Sequence, residues 1–138
     1  INRPLKEVFG YLTDIEKQVE WRSGLVEAKR TSEGPLGVGS TGREVLQFLG
    51  RKMENTVEIT EYETDKLMAF RSTSGPMPLR GKLTVEEVPG GTRVDFEIEG
   101  EPGGLFKLAG PILRRIARRQ IEADYSNLKD LLEARGQG

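Results

Sequence analysis

The chain has 138 residues, and its 21 Lys and Arg against 22 Asp and Glu leave a formal net charge of -1. This length fits one domain with its own hydrophobic core, and the balanced charge gives no global attraction to nucleic acid or an anionic membrane. The absence of Cys and His excludes disulfides, thiol catalysis and the usual zinc, copper and non-haem iron sites.

The sequence contains no Asp-rich loop spaced for calcium or magnesium, so we predict neither a metal nor a cofactor. No apolar run approaches the roughly 18 residues of a membrane span, and no signal-peptide pattern is visible. The expected location is therefore cytoplasmic. Because the chain begins at Ile1 rather than Met, what precedes that residue stays open.

Two short helical segments are predicted near the N-terminus. Pro4 suits the first position of a helix, and apolar residues follow it at helical spacing to about Thr13. Asp14 can cap a second short turn that runs to about Val19.

Six stretches then read as consecutive antiparallel strands, because β-forming residues alternate with polar ones between turn signals. Gly90-Gly91 is typical of a hairpin turn between the last two. The predicted strands cover residues 25–30, 41–48, 51–63, 67–74, 79–88 and 92–100.

The alternation also predicts which side chains face inward. In the stretch 51–63 it places Met53, Asn55 and Val57 on one face. The stretches 41–48 and 67–74 have apolar residues in both phases, and a shift of one residue would reverse their inner and outer faces.

A long amphipathic helix is predicted from Pro111 to Arg135. Such a helix is roughly 37 Å long, so it can span the whole sheet. Its apolar stripe consists of Leu113, Ala117, Ile121, Tyr125, Leu128 and Leu132.

The predicted elements together define an α+β domain with a cavity. One helix is about 10 Å across, whereas six strands spaced by about 4.8 Å make a sheet roughly 29 Å wide. A flat sheet of that width cannot be covered by one helix. We therefore expect the sheet to curl around the helix and to enclose a cavity on its concave side.

The order and spacing of several segments resemble one known family. These segments are Pro4 to Leu12, Asp14 with Trp21, Gly37-Val38-Gly39, Gly90-Gly91-Thr92, and the final helix with Leu128-Lys129 and Leu132-Glu133. Together they are similar to the polyketide cyclase/dehydrase branch of the START-like, helix-grip (SRPBCC) superfamily. The resemblance implies a curved antiparallel sheet of six to seven strands wrapped around a long C-terminal helix, with two short helices near the N-terminus.

The resemblance also bears on domain organisation. Family members usually begin with a strand ahead of the first helix, and only Ile1-Asn2 could remain of it here. We expect a single START-like domain over residues 1–138 whose first strand is missing or truncated.

For function, the resemblance implies a cavity for a small hydrophobic or amphipathic molecule such as a lipid, an isoprenoid or a polyketide-like compound. Two alternatives stay open, because one fold serves many functions. One is a cyclase or aromatase, although no pair of groups is spaced so as to identify catalytic residues. The other is a protein-interaction module similar to the quinone-binding and toxin-type relatives.

The inward-facing positions of the strands and the apolar stripe of the final helix together predict the residues that line the cavity. For four of these residues the alternative to lining the cavity is a structural role. Arg43 and Arg71 would then be solvated strand residues. Asn55 would be a buried amide bonded to the backbone, and Trp21 would pack at the rim of the sheet. The predicted cavity residues are Trp21, Arg43, Met53, Asn55, Val57, Arg71, Gly81, Leu83, Phe96, Leu113, Ala117, Ile121 and Tyr125.

A basic cluster on the final helix consists of Arg114, Arg115, Arg118 and Arg119. It predicts a docking surface for an acidic partner, and the alternative is a solvated face paired with acids such as Glu122. No aromatic residue is interleaved with these arginines, which argues against a nucleic-acid partner. The sequence does not predict an oligomeric state.

Overall fold

The computed structural model describes residues 1–48, 50–74, 79–100 and 110–135, without the side chains of Phe48, Glu99, Pro111, Leu113 and Arg114. Every predicted helix and strand is present, with ends within about one residue of the prediction. In chain order the elements are helix α1 (Leu5–Leu12), a 3₁₀ helix (Ile15–Glu20), strands β1 (Leu25–Arg30), β2 (Thr41–Phe48), β3 (Arg51–Glu63), β4 (Leu67–Ser74), β5 (Leu79–Val88) and β6 (Gly91–Gly100), and helix α2 (Gly110–Arg135).

The starts of the two N-terminal helical segments differ slightly from the prediction. Pro4 precedes α1 instead of beginning it, and its carbonyl oxygen accepts a hydrogen bond of 3.1 Å from the Val8 N–H. Asp14 precedes the 3₁₀ helix, but its side chain makes no capping hydrogen bond. The prediction that Asp14 caps this turn is therefore wrong.

The six strands form one antiparallel sheet in the order β1-β2-β3-β4-β5-β6. Neighbours in the sheet are thus also neighbours in sequence. The pairing is irregular between Leu25 and Glu27, between Thr56 and Val57, and between Ile59 and Glu61. Such irregularities bend a strand and increase its twist, which suits a sheet that curls around a helix. The predicted α+β helix-grip architecture is confirmed.

The hydrophobic core occupies one end of the space between the sheet and α2. Arg135, the last residue of α2, lies over the ring of Tyr11 in α1 with its guanidinium carbon 4.6 Å from the ring centroid, so α1 adjoins the C-terminal end of α2. The main core residues, all buried, are Val8, Phe9 and Leu12 of α1, Ile59, Met68, Leu83 and Val85 of the sheet, and Leu128 and Leu132 of α2.

The segment before α1 is attached to the start of β6. The Ile1 backbone nitrogen donates to the Thr92 carbonyl oxygen at 2.9 Å, and the Thr92 N–H donates back to the Ile1 oxygen at 2.8 Å. The buried Thr92 hydroxyl donates to the Arg3 carbonyl oxygen at 2.8 Å. These bonds fix the point from which α1 enters the core.

Gly81 of β5 provides a test of packing on the inner face. A Cβ atom at this position would lie 2.6 Å from Cζ of Phe70 and 3.3 Å from the carbonyl oxygen of Glu97. Gly81→Ala must therefore displace the Phe70 ring, and we expect the free energy of unfolding to fall by about 1–3 kcal/mol, as overpacking of a core usually costs. Urea denaturation measures this change.

The matched control is Gly10→Ala in α1, where nothing lies within 4 Å of the added Cβ. There we expect stabilisation of about 0.5–1 kcal/mol, since alanine is the better helix former. An unchanged urea midpoint for Gly81→Ala would show that Phe70 is not held against Gly81.

Candidate functional site

A cavity of about 220 Å³ lies between the inner face of the sheet, the 3₁₀ helix and the N-terminal half of α2. Most of its wall is apolar, and Ala117 and Ile121 of α2 and Leu46 and Met53 of the sheet are among the residues that line it.

Nine of the predicted cavity residues line this space. The β3 residues do so because inward and outward side chains alternate along the strand as predicted. Whether these residues bind a ligand stays a prediction. The nine are Trp21, Met53, Asn55, Val57, Leu83, Phe96, Ala117, Ile121 and Tyr125.

Arg43 does not line the cavity, because β2 adopts the opposite phase. Its neighbour Glu44 pairs with the inward-facing Asn55 of β3 and lies on the cavity wall. On the outer face, Arg43 donates to both carboxylate oxygens of Glu54 at 2.5 and 3.3 Å and also reaches Glu27 at 3.5 Å. The hydrogen bond and charge of Arg43 lower the pKa of Glu54. The prediction for Arg43 is corrected accordingly.

Arg71 is outside the cavity for the same reason. In β4 the inward positions are Met68, Phe70 and Ser72, which line the wall, while Arg71 is exposed between them. Gly81, also predicted to line the cavity, is buried but does not line it, because the Phe70 ring covers it. The side chain of Leu113 lies outside the described residues.

An ion pair that was not predicted from the sequence lies in the cavity wall. Nη1 of Arg22 donates to Glu44 Oε1 at 2.9 Å and to Gln18 Oε1 at 2.8 Å. Arg22 follows the 3₁₀ helix and Glu44 lies on β2, and both side chains are mostly buried. Inward-facing Glu44 is the signal that could have revealed the pair, since a carboxylate inside an apolar cavity requires a partner.

A hydrogen-bonded cluster joins the segment before β1 to α2, and we call it the Ser23–Asp124 latch. Oδ1 of the buried Asp124 accepts from the Ser23 N–H, the Ser23 hydroxyl and Gln120 Nε2, each at 3.0 Å. Gln120 Nε2 also donates to the Ser23 hydroxyl oxygen. Asp124 and Gln120 both line the cavity, so the latch closes one part of its wall.

Two buried polar atoms that belong to cavity-lining residues have no hydrogen-bond partner within the described part of the chain. They are Asn55 Oδ1 and Trp21 Nε1, and their side chains belong to residues that are only 2% and 4% exposed. A buried polar atom left unpaired costs about 1–3 kcal/mol. Such atoms in a native structure therefore require an explanation.

Tyr125 lies between two aromatic rings on the same wall. Its ring centroid is 5.2 Å from that of Trp21, in an edge-to-face arrangement, and 5.3 Å from that of Phe96. Burial raises the pKa of the Tyr125 hydroxyl above its ordinary value of 10.0. The hydroxyl therefore stays protonated near neutral pH and can act as a hydrogen-bond donor in the cavity.

The basic cluster of α2 is exposed at the three arginines whose side chains are described. Arg118 is 83% exposed at its side chain and pairs with Glu122 at 3.4 Å, as the solvated-face alternative expected. Arg115 and Arg119 have no ion pair with any residue that the structure describes. Arg114 lies outside the described side chains, and binding of an acidic partner at this surface stays a prediction.

Neither a metal cluster nor a membrane-spanning helix is found in the described ranges. No three acidic side chains there come together as metal ligands. None of the helices there is both long and apolar enough to cross a bilayer.

A curled antiparallel sheet gripping one long helix, with a cavity between them, defines the START-like, helix-grip class of fold. The chain belongs to the polyketide cyclase / dehydrase and lipid transport family, whose model matches residues 1–133. The suspected resemblance is thus confirmed. Family and fold support a ligand-binding or a cyclase role. Among curated proteins none matches the chain.

Several solved structures share the fold at low sequence identity. The Zhui aromatase/cyclase from Streptomyces sp. R1128 has a TM-score of 0.78 at 14% identity, over 98% of this chain and 90% of that one. The protein TTHA0849 from Thermus thermophilus has a TM-score of 0.78 at 18% identity, over 97% and 92%. A START superfamily protein from Mycobacterium smegmatis has a TM-score of 0.76 at 12% identity, over 97% and 92%.

The raised pKa of Tyr125 predicts how stability depends on pH. In the unfolded chain this tyrosine ionises near pH 10, whereas the folded protein keeps it neutral. Its contribution to the free energy of unfolding is therefore complete below pH 10 and is lost as the pH rises further. Tyr125→Phe cannot ionise at this position. We expect the free energy of unfolding of Tyr125→Phe minus that of the wild type to rise by about 1.4 kcal/mol from pH 8 to pH 11.

Chemical denaturation of the two proteins at both pH values measures this difference. Comparison with Tyr125→Phe cancels the titration of groups that the two proteins share. A difference that is the same at pH 8 and pH 11 would contradict the burial of this hydroxyl.

Proposed function

We propose that the protein binds a small hydrophobic or amphipathic molecule in the cavity between the sheet and α2. The observation that carries this proposal is the cavity itself, about 220 Å³ in volume and walled mainly by apolar side chains. Binding sites for small molecules are typically concave and apolar with a few placed polar groups. The Arg22–Glu44 pair fits that description.

The volume favours a compact ligand. An engineered cavity of about 150 Å³ lined by aliphatic and aromatic side chains binds benzene. The cavity described here is about half as large again, which suits one or two fused rings or a short branched chain. It is small for a lipid with long acyl chains, so an isoprenoid-sized or polyketide-like ring compound is favoured.

Along α2 the cavity and the core are separate. The core residues Leu128 and Leu132 lie further along this helix than the cavity residues Ala117 and Ile121, whereas Met68 and Leu83 of the sheet belong to both. A change in the α2 part of the cavity wall should therefore affect binding more than stability.

A cyclase is the second candidate, and Tyr125 favours it. Tyr125 and Arg22 both line the cavity, and a tyrosine hydroxyl and a guanidinium could hold the oxygens of a polyketone and polarise a carbonyl. The similar Streptomyces structure is named an aromatase/cyclase. Conversion of a linear poly-β-ketone analogue to a cyclic product, abolished in Tyr125→Phe, would support this candidate over binding alone.

Filling the cavity tests the binding proposal. Ala117 lines it, so Ala117→Trp should place an indole in the ligand's space and weaken binding of an environment-sensitive naphthalene dye at least tenfold. Ala123→Trp is the matched control, because Ala123 is exposed on the same helix. Dye titration by fluorescence measures both, and native mass spectrometry should detect a co-purified apolar compound in the wild type and in Ala123→Trp but not in Ala117→Trp.

Equal dye affinity in Ala117→Trp, Ala123→Trp and the wild type would contradict the proposal, since the dye would then bind elsewhere. Far-UV circular dichroism of all three proteins establishes that they share the same fold.

A further inference from the structure

We propose that the outer face of α2, near the start of this helix, docks on the surface of an anionic lipid bilayer. We call this surface the Ile112–Arg119 face, and it consists of Ile112, Arg115, Ile116 and Arg119. It is separate from the cavity and goes beyond the proposed binding function, because docking at this face requires no molecule inside the protein.

The four residues lie on one side of the helix. Their spacing of three and four residues makes them neighbours on two successive turns, about 10 Å from end to end. At 3.6 residues per turn, Ala117 and Ile121, which line the cavity, point in roughly the opposite direction. The same stretch of α2 therefore has apolar residues on its cavity side and a second apolar pair on its solvent side.

The two isoleucines are the unusual part of this face. Ile112 is 75% exposed, which makes it the most exposed large apolar residue in the described ranges, and Ile116 is 38% exposed. Single exposed apolar residues are common on proteins, but these two lie one turn apart on the same side. Burial in the boundary between lipid headgroups and acyl chains would remove both from water.

The two arginines supply the charge that selects an anionic surface. Glu122, the nearest acid along the helix, pairs with Arg118 at 3.4 Å. Arg115 and Arg119 have no ion pair with any residue that the structure describes, so two uncompensated positive charges lie on either side of Ile116. Each basic side chain close to an anionic membrane strengthens the attraction to it.

Shape and charge together favour a lipid surface over other occupants. The face is a convex ridge of two helical turns, much smaller than the roughly 800 Å² that each partner buries in a stable protein complex. Two copies of the chain would bring like charges together. A nucleic acid offers phosphates to the arginines but no apolar layer to the isoleucines. A bilayer with anionic headgroups offers both.

Co-sedimentation with lipid vesicles tests the proposal. We expect the wild type to bind vesicles of equal parts phosphatidylcholine and phosphatidylglycerol at least tenfold more tightly than vesicles of phosphatidylcholine alone. This preference should shrink when the salt concentration rises from about 0.1 M to about 1 M, because the screening length falls from about 10 Å to about 3 Å.

Serine substitutions test the apolar part of the face. Ile112→Ser should weaken binding to the anionic vesicles about fivefold or more, because one buried isoleucine is lost. Ile116→Ser and Leu131→Ser are a matched pair, since Leu131 is 37% exposed on the same helix but lies 15 residues further along. Ile116→Ser should weaken binding, whereas Leu131→Ser should bind as the wild type does.

Glutamine substitutions test the charged part. The double variant Arg115→Gln/Arg119→Gln should lose about tenfold or more in affinity for the anionic vesicles. The control Lys6→Gln/Lys129→Gln removes the same net charge from two other exposed positions and should bind as the wild type does. Far-UV circular dichroism establishes that all variants share the wild-type fold, as expected for exposed positions.

Three results would overturn the proposal. The first is equal binding of the wild type to anionic and neutral vesicles, or binding to neither. The second is an equal loss in the lysine and arginine double variants, which would make net charge and not this face responsible. The third is wild-type binding by both Ile112→Ser and Ile116→Ser when the arginine variant has lost it. The face would then be a site for a polyanion such as an acidic protein. Dye binding in the cavity is measured separately, so none of these results decides the proposed function.

Discussion

The width of a six-stranded sheet relative to one helix governs this structure. The sheet curls around α2, and among the described residues the core side chains cluster where α1 meets the last turns of α2. Leu128 and Leu132 therefore pack in a conventional core, while Ala117 and Ile121 of the same helix face a cavity. A protein interior is normally close-packed, and the hollow end of this one is thus a consequence of its architecture.

Most of the fold was predictable because it depends on local periodicity. Every described strand and helix was located within about one residue, and β3 gave its inward face correctly from Met53 to Ile59 because its residues alternate there, with Asn55 as the one polar residue on the inward face. In β2 and β4 both phases carry apolar residues, so local pattern could not place Arg43 and Arg71. Their phase follows from pairing with neighbouring strands, since Glu44 lies opposite Asn55, and that information is tertiary.

Charge pairing explains why the polar part of the site was only partly predicted. Both arginine–glutamate sets use residues distant in sequence, Arg22 with Glu44 inside the cavity and Arg43 with Glu54 outside it. Sequence alone does not reveal which acid faces which base. Asn55 was identified because it interrupts an apolar strip, whereas Arg22 follows a short 3₁₀ helix with no periodicity from which to infer its direction.

The Ser23–Asp124 latch concentrates a long-range attachment at one atom. It ties residues 101 positions apart, and its Asp124 and Gln120 lie on the cavity wall. Three of its hydrogen bonds converge on Asp124 Oδ1. A substitution at Asp124 would thus remove the polar attachment of Ser23 to α2 while leaving the aromatic contact between Trp21 and Tyr125.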